Sequence, residues 1–340
     1  MRQLPSVVRN GAALAAALVL LLPLTAQGQA EQAAPRTAWG APDLQGMWDF
    51  RTVTPLERPV ELEDKEFLTA EDAVALRESE LAIRNADRRG SSQASDLERG
   101  YNDFWWDYGS ELTEDRRTSL IVDPPNGRMP PLTPVEAARA QGPRRGPPKE
   151  RIVLGVVPDG PEDIGLAERC LVGFNSGPPI MPSFYNNNVL ILQAPGYVVL
   201  HTEMIHETRV IPLDGRPHLP AAMRQWLGDS RGRWEGETLV VETTNFTDKA
   251  SFTGLPYQRG GSSENMHLVE RFTRAAAGQL MYEFTVTDPA AWTQPWTAVI
   301  PMRLTDSPMF EYACHEGNYA MFNILTGSRA KERAADDAAR

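Results

Sequence analysis

From Val189 to Cys314 the chain reads as a succession of short segments of alternating polarity, and this pattern limits the fold more than any other feature of the sequence. Val189–Gln193 and Tyr197–Ile211 flank Ala194-Pro195-Gly196, which has the length of a hairpin turn. Trp234-Glu235-Gly236-Glu237 leads into Thr238–Thr244. His267–Arg274 and Gln279–Thr287 are joined by Ala275–Gly278, and Trp296–Leu304 and Met309–Cys314 complete the series. In Gln279–Thr287 the even residues Leu280, Tyr282, Phe284 and Val286 are apolar while Glu283, Thr285 and Thr287 are not, as in a half-buried antiparallel strand. Consecutive strands with short turns and no helices between them predict an all-β, mainly antiparallel fold, a barrel-like or lipocalin-like sheet with a few peripheral helices, and not a parallel α/β sheet.

The N-terminus carries export information. Arg2 and Arg9 accompany the apolar run GAALAAALVLLLPLTA, and Gly28-Gln29-Ala30 is a small-x-small cleavage site, so residues 1–30 read as a signal peptide and the mature chain as periplasmic or secreted. No later stretch approaches the roughly 18 consecutive apolar residues of a spanning helix, so no transmembrane segment is expected in the mature chain. Beyond the signal, 32 Lys and Arg face 45 Asp and Glu, a net charge of −13 that argues against nucleic acid and anionic membranes as partners. The partner expected is a small-molecule ligand or substrate, with the oligomeric state left open. Cys170 and Cys314 both fall in the exported part. In an oxidising compartment they are expected to pair, a link that contributes about 3–5 kcal/mol in the chain-entropy picture; two buried thiols are the other reading.

Residues 31–150 read as an N-terminal extension with the first strands, a surface helix and an aromatic loop. Gly46-Met47-Trp48 is the G-x-W that also opens lipocalin-type barrels, where the Trp plugs the floor, although any first strand can contain it. Thr69, with Asp72 three residues on, marks the start of a helix over residues 69–89, with Gly90 as its C-terminal stop. A polar connector (Ser91–Arg99) precedes the aromatic cluster Tyr101–Tyr108, whose Trp105 and Trp106 either pack over the domain or offer a platform to a sugar or aromatic ligand. Thr118–Asp123 is a short strand, Thr133-Pro134-Val135-Glu136 a capping box, and Gly142–Pro148 the best internal break. Residues 151–330 form the main antiparallel region, in one domain with strands from 43–50 and 118–123. Residues 331–340 read as a disordered tail that frays.

Five histidines bound the chemistry: His201, His206, His218, His267 and His315. None forms H-E-x-x-H. If Tyr197–Ile211 is one strand, Val198, Leu200, Met204, His206 and Val210 share a face, and His201, Glu203, Glu207 and Arg209 the other, so His201, Glu203 and His206 cannot share a metal without a bulge. Gly228-Asp229-Ser230-Arg231-Gly232 fits G-x-S-x-G, but a helix-like stretch (Leu219–Leu227) precedes it and a strand follows, the reverse of a nucleophile elbow, so it reads as a turn. Cys314-His315-Glu316 is the most concentrated polar cluster, and a disulfide at Cys314 would pin its neighbours. The candidate catalytic groups are His315 with Glu316, and His206 or His267, as acid/base groups or, with a divalent metal as a possible cofactor, as ligands. Arg209, Glu203, Trp105 and Trp106 are the candidate substrate-binding residues. His315 and Glu316 as mere helix caps, and Glu203, Glu207 and Arg209 as a solvated ion-pair row, are the alternatives.

The stretches RTSLIVDPPNGR, EMIHETRVIPLDGRPHLP, WLGDSRGRWEGETLVVETTNF, SSENMHLVERFTR, YEFTVTDPAAWTQPWT and EYACHEGNY, with the early G-x-W, together resemble a widespread family of uncharacterised exported bacterial proteins across roughly residues 40–330. The resemblance implies export and a shared β-rich fold, and brings no catalytic residues. The sequence therefore predicts an exported β-barrel-like enzyme performing acid/base or metal-assisted hydrolysis, elimination or isomerisation on a small organic molecule. The rivals are a non-catalytic lipocalin-like binding protein and an accessory protein of an envelope assembly.

Overall fold

Ten strands form one antiparallel sheet in the computed structural model, which describes residues 35–85, 87, 102–141, 158–248 and 264–340. They are β1 (Gly46–Asp49), β2 (Ile121–Asp123), β3 (Asn188–Ala194), β4 (Tyr197–Thr202), β5 (Thr208–Pro212), β6 (Asp229–Glu235), β7 (Thr238–Thr244), β8 (His267–Ala276), β9 (Gln279–Thr287) and β10 (Trp296–Thr305). The order across the sheet is β5-β4-β3-β1-β10-β9-β8-β7-β6, with β2 also on β10. The early strand β1 thus lies mid-sheet between β3 and β10. The described residues also form three α-helices: α1 (Ala70–Arg84), α2 (Pro134–Gln141) and α3 (Tyr319–Ala338). The signal segment, the connector 91–99, Gly90, Tyr101 and the break at 142–148 lie outside the described residues. No described helix is long and apolar enough to cross a membrane.

The alternation fills the inside of the sheet with rings. Trp48, Phe272, Tyr282, Phe284 and Trp296 are fully buried, and the contacts Phe272–Tyr282 (4.8 Å), Tyr282–Phe284 (5.6 Å) and Phe284–Trp296 (5.6 Å) run from β8 to β10. Each such ring stabilises the fold by about 1.5–3 kcal/mol through burial alone. Trp48 donates its indole N–H to the Leu44 carbonyl (2.8 Å), and the Arg274 guanidinium lies over its ring at 5.4 Å.

No ladder joins the two edge strands β5 and β6, so the sheet is not closed by hydrogen bonds. Side chains close it. A Cβ at Gly232 on β6 would stand 2.9 Å from Ile211 of β5 and 2.6 Å from Leu213, so only glycine admits so close an approach. Arg209 of β5 reaches across the interior to Glu270 of β8 (2.5 and 3.1 Å), Ser230 of β6 (3.1 Å) and Thr243 of β7 (3.3 Å). Tyr282 donates to the same carboxylate (2.8 Å) and accepts from the Ile180 amide (3.0 Å). Burial works to lower the Arg209 pKa, but the Glu270 charge and hydrogen bonds outweigh it and the guanidinium is held protonated. Burial first, then the Glu270 charge, pushes the Tyr282 phenol well up, so it stays a donor.

Several predicted elements differ, among them residues 228–232, read as a turn, where Asp229–Glu235 is strand β6. Tyr197–Ile211 is not one strand: a 3-10 turn at Met204–His206 divides it into the β4–β5 hairpin. In that hairpin Leu200 stands opposite Arg209 and Val198 opposite Ile211, and residues directly opposite share a face. Even positions therefore point inward before the turn and odd positions after it, which puts Arg209 inside and leaves Val210 59% exposed. Leu219–Leu227 is not helical; Pro220 interrupts it and Gln225 bridges to Phe246. Met309–Cys314 forms no strand, since the Phe310 amide donates to the Glu203 carboxylate instead of a ladder (3.0 Å). The tail from 331 continues α3 to Ala338, helped by Asn318 as N-cap, alanine-rich sequence and the Arg329–Glu332 pair (3.1 Å).

Replacing Arg209 alone with Met strands the Glu270 carboxylate in the core, so Arg209→Met is expected to lose about 3–5 kcal/mol in urea unfolding, and Arg209→Met with Glu270→Leu to regain most of it. Equal losses in the single and double variants would mean that the pair is not the link across the seam.

Candidate functional site

The turn between β4 and β5 presents the most unusual backbone in the site region. Ile205 (φ 56°) and His206 (φ 44°) both lie in the left-handed region, which is a true outlier for a β-branched residue and costs about 1–3 kcal/mol per residue. Apolar contacts hold it there. Met204 and Ile205 are buried with Phe174 in a small second core bordered by Phe184, Tyr185, Tyr312 and Cys314. Glu203, buried at the turn's start, accepts from the Asn188 amide (2.7 Å) and the Phe310 backbone (3.0 Å). Its carboxylate ties the chain after β10 to the turn, a structural task where the sequence suggested substrate contact. The turn leaves His206 exposed at the surface.

The facing wall comes from the segment after β10. Cys170 and Cys314 form a disulfide with Cα atoms 5.8 Å apart, spanning 144 residues. Beside it, His315 and Glu316 are exposed; the helix cap is Asn318, which accepts from the Met321 amide (3.4 Å). The rings of His206 and His315 stand 6.2 Å apart between centroids. His206 Nδ1 lies 3.0 Å from the Tyr312 carbonyl oxygen. A carbonyl only accepts, so Nδ1 carries the proton and, in the neutral ring, Nε2 keeps the lone pair. Glu316 forms no hydrogen bond or ion pair with a described residue.

The divided strand also brings His201 to this end, which the single-strand reading excluded. His201 Nδ1 is 2.7 Å from the Thr208 hydroxyl, whose own proton goes to the His206 carbonyl (3.3 Å), so His201 donates into a chain that ends on the His206 backbone. Burial, then the charge of His206, lowers the His201 pKa. Half-buried Glu207 has its pKa raised by burial, opposed by the Thr208 amide, His206 and Arg209.

The other candidates lie apart. His267 is on the outer side of β8, 3.9 Å from Glu242, with no described contact to His206 or His315. Arg209 is inside the barrel, its guanidinium engaged by Glu270, Ser230 and Thr243. Phe104 and Trp105 are 82% and 60% exposed and pack edge-on at 5.2 Å. Trp106 instead turns in against Tyr108 (5.4 Å) and Phe184 (5.0 Å). Sequence reasoning passed over His218. Its Nδ1 donates to buried Asp229 (2.9 Å), which also accepts from the Leu219 amide (2.9 Å) and pairs with Arg231 (2.6 Å). A histidine eleven residues before an acid in G-D-S-R-G gives no recognisable spacing, so only the fold reveals the pair. Ser230 of that motif points inward to Thr243 (2.9 Å), away from His218's partner. Among the described residues, no group of three or more His, Cys, Asp or Glu is placed to hold a metal ion. Compared with family models, curated proteins and solved structures, the chain has no match.

Two measurements check this arrangement. Cys170→Ala with Cys314→Ala is expected to lower stability by about 3–5 kcal/mol in urea unfolding, since the bridge constrains a long loop in the unfolded chain. The raised Glu207 pKa contributes stability that is full below the ordinary carboxylate value and is lost as pH rises through the folded one. Glu207→Gln is therefore expected to melt above the parent at pH 7, with the gap closing near pH 4; a gap that persists in acid would assign the effect to packing.

Proposed function

We propose that this chain is an exported enzyme that acts on a small organic molecule by general acid–base chemistry, with His206 as the base and His315 as its partner. The observation that carries the reading is the fixed tautomer of an exposed imidazole on a strained turn: Nδ1–H is committed to the Tyr312 carbonyl, which leaves Nε2 to take a proton. Strain of this kind persists only where surrounding packing over-determines it, and it gathers at functional sites. Hydrolysis, elimination and isomerisation each need one group to accept a proton and a second to return it. His315, its ring 6.2 Å from that of His206, is a titratable group for the second role, held beside the disulfide. The aromatic filling of the barrel favours chemistry at this end over a ligand carried inside, as a lipocalin-like carrier would hold it. The resemblance of the long motifs to exported proteins supports the periplasmic or secreted setting.

His218 with Asp229 supports a second reading, because a buried carboxylate orienting an imidazole is also how a general base is built. The two separate in one assay. Turnover of 4-nitrophenyl acetate is expected to exceed that of free imidazole at matched concentration, and His206→Asn to lower kcat/KM by about 10²–10⁴-fold with the circular dichroism spectrum intact, while His218→Asn leaves it unchanged. A rate no better than imidazole sinks the ester-hydrolysing form of the proposal, and a loss confined to His218→Asn moves the base to the second pair.

A further inference from the structure

A cleft of about 590 Å3 opens between α1, the aromatic loop and the sheet, with none of the histidines in its lining. Its walls include Arg51, Arg84, Arg303, Trp106, Tyr108 and Asn85. The size falls within the roughly 300–1,000 Å3 of small-molecule sites. We propose that this cleft binds small aromatic carboxylates, with Arg303 holding the carboxylate and Trp106 packing the ring.

Counting charges selects Arg303. Arg51 is fully engaged: Asp49 takes its Nε and Nη2 (2.9 and 2.8 Å), and Asp107 takes Nη1 with both oxygens (2.8 and 2.7 Å). Arg84 donates to the Val53 carbonyl (3.1 Å), pairs with Glu80 (2.6 Å) and lies over the Tyr108 ring at 5.4 Å. Arg303 is different. Its nearest carboxylate is Asp49 at 3.9 Å, beyond hydrogen-bond distance and already committed to Arg51, and its side chain is 49% exposed. One guanidinium fork is thus left for an incoming anion, and a carboxylate matches that fork bidentately. Asp103 and Asp107 also line the cleft, so a single negative charge is admitted where a polyanion is repelled.

The apolar half of the ligand follows from the loop. Trp106 is propped by Tyr108 and Phe184, and the loop is tied down by Asn187, which donates to the Asp107 carbonyl (2.8 Å), and by the Asp107 amide, which donates to the Phe184 carbonyl (2.5 Å). A ring fixed from behind is a preformed surface, so little ordering is needed on binding. The chain as a whole is acidic, so an anion drawn here answers to local geometry and not to the overall field.

The test titrates the full mature chain with benzoate and with its neutral isostere benzamide, following the tryptophan indole N–H signals by NMR. Saturable binding of benzoate at least about tenfold tighter than benzamide is expected, with Arg303→Gln removing that advantage and Arg303→Lys keeping part of it. Trp106→Leu is expected to weaken both probes. The half-exposed Arg303 can be replaced without emptying the core, and an unchanged melting temperature verifies that the variant folds. His206→Asn is expected to leave benzoate binding intact, which keeps this proposal separate from the acid–base reading. Equal affinity for the two probes, no saturation by benzoate, or binding unaffected by Arg303→Gln would each overturn it.

Discussion

An arginine on an edge strand that reaches a glutamate two strands in from the opposite edge is the contact on which this barrel depends. Because β5 and β6 share no ladder, backbone hydrogen bonds alone would leave the sheet open and two edges bare. The Arg209–Glu270 pair, with Ser230, Thr243 and Tyr282, ties five successive strands at one level of the interior. An apolar pair of the same shape would hold the core as well, since desolvating two charges offsets much of their attraction. What the charged pair adds here is discrimination. Slipping β5 by one residue would turn Arg209 to solvent, bring Val210 inside and leave Glu270 buried without a cation. Only one register satisfies the carboxylate, so the same contact that closes the seam also fixes where the turn before β5 must sit.

That turn carries the consequence outward. β4 must deliver Leu200 inward and β5 must deliver Arg209 inward opposite it, and a continuous strand cannot place an even and an odd residue on one face. Five residues from Glu203 to Glu207 absorb the change of parity, two of them in left-handed conformation. The strain is offset by burying Met204 and Ile205 against Phe174 and by the hydrogen bonds of Glu203. His206 is exposed because its neighbours are the anchors. The disulfide supplies the other fixed wall at Cys314, so His206 and His315 are each held by groups adjacent to them in sequence.

Period-two alternation made the fold class legible, since Leu280, Tyr282, Phe284 and Val286 declare their face without outside information, and the cap at Thr69 marks a helix start locally. The turn inside Tyr197–Ile211 was not legible. It contains no glycine or proline, and the signal that forces it is the charge of Glu270, some sixty residues away in sequence. The same distance hid the role of Arg209: on the sequence it is one more charged residue on a polar face, and only the register of β4 on β5 turns it inward. His206 and His315 could be listed but not joined. The carbonyl that sets the His206 tautomer belongs to Tyr312, and a backbone atom leaves no trace in residue type. Arg303 was overlooked for a related reason: it is marked by the looseness of its ion pair with Asp49 (3.9 Å), which depends on Asp49 being taken by Arg51.

The two candidate surfaces rest on one aromatic layer. Phe184 packs on Trp106 at the cleft and on Phe174 (4.4 Å) behind it, and Phe174 in turn clusters with Met204 and Ile205 beneath His206. A packed layer of rings resists deformation, because displacing one ring forfeits dispersion contacts with all its neighbours. The layer therefore holds the imidazole and the indole in place from behind while leaving their outer faces free. The barrel's own interior is committed to Arg209, Glu270 and the ring ladder, so the binding and the chemistry proposed above both fall on these supported turns and loops, where changing a surface residue leaves the contact that closes the sheet untouched.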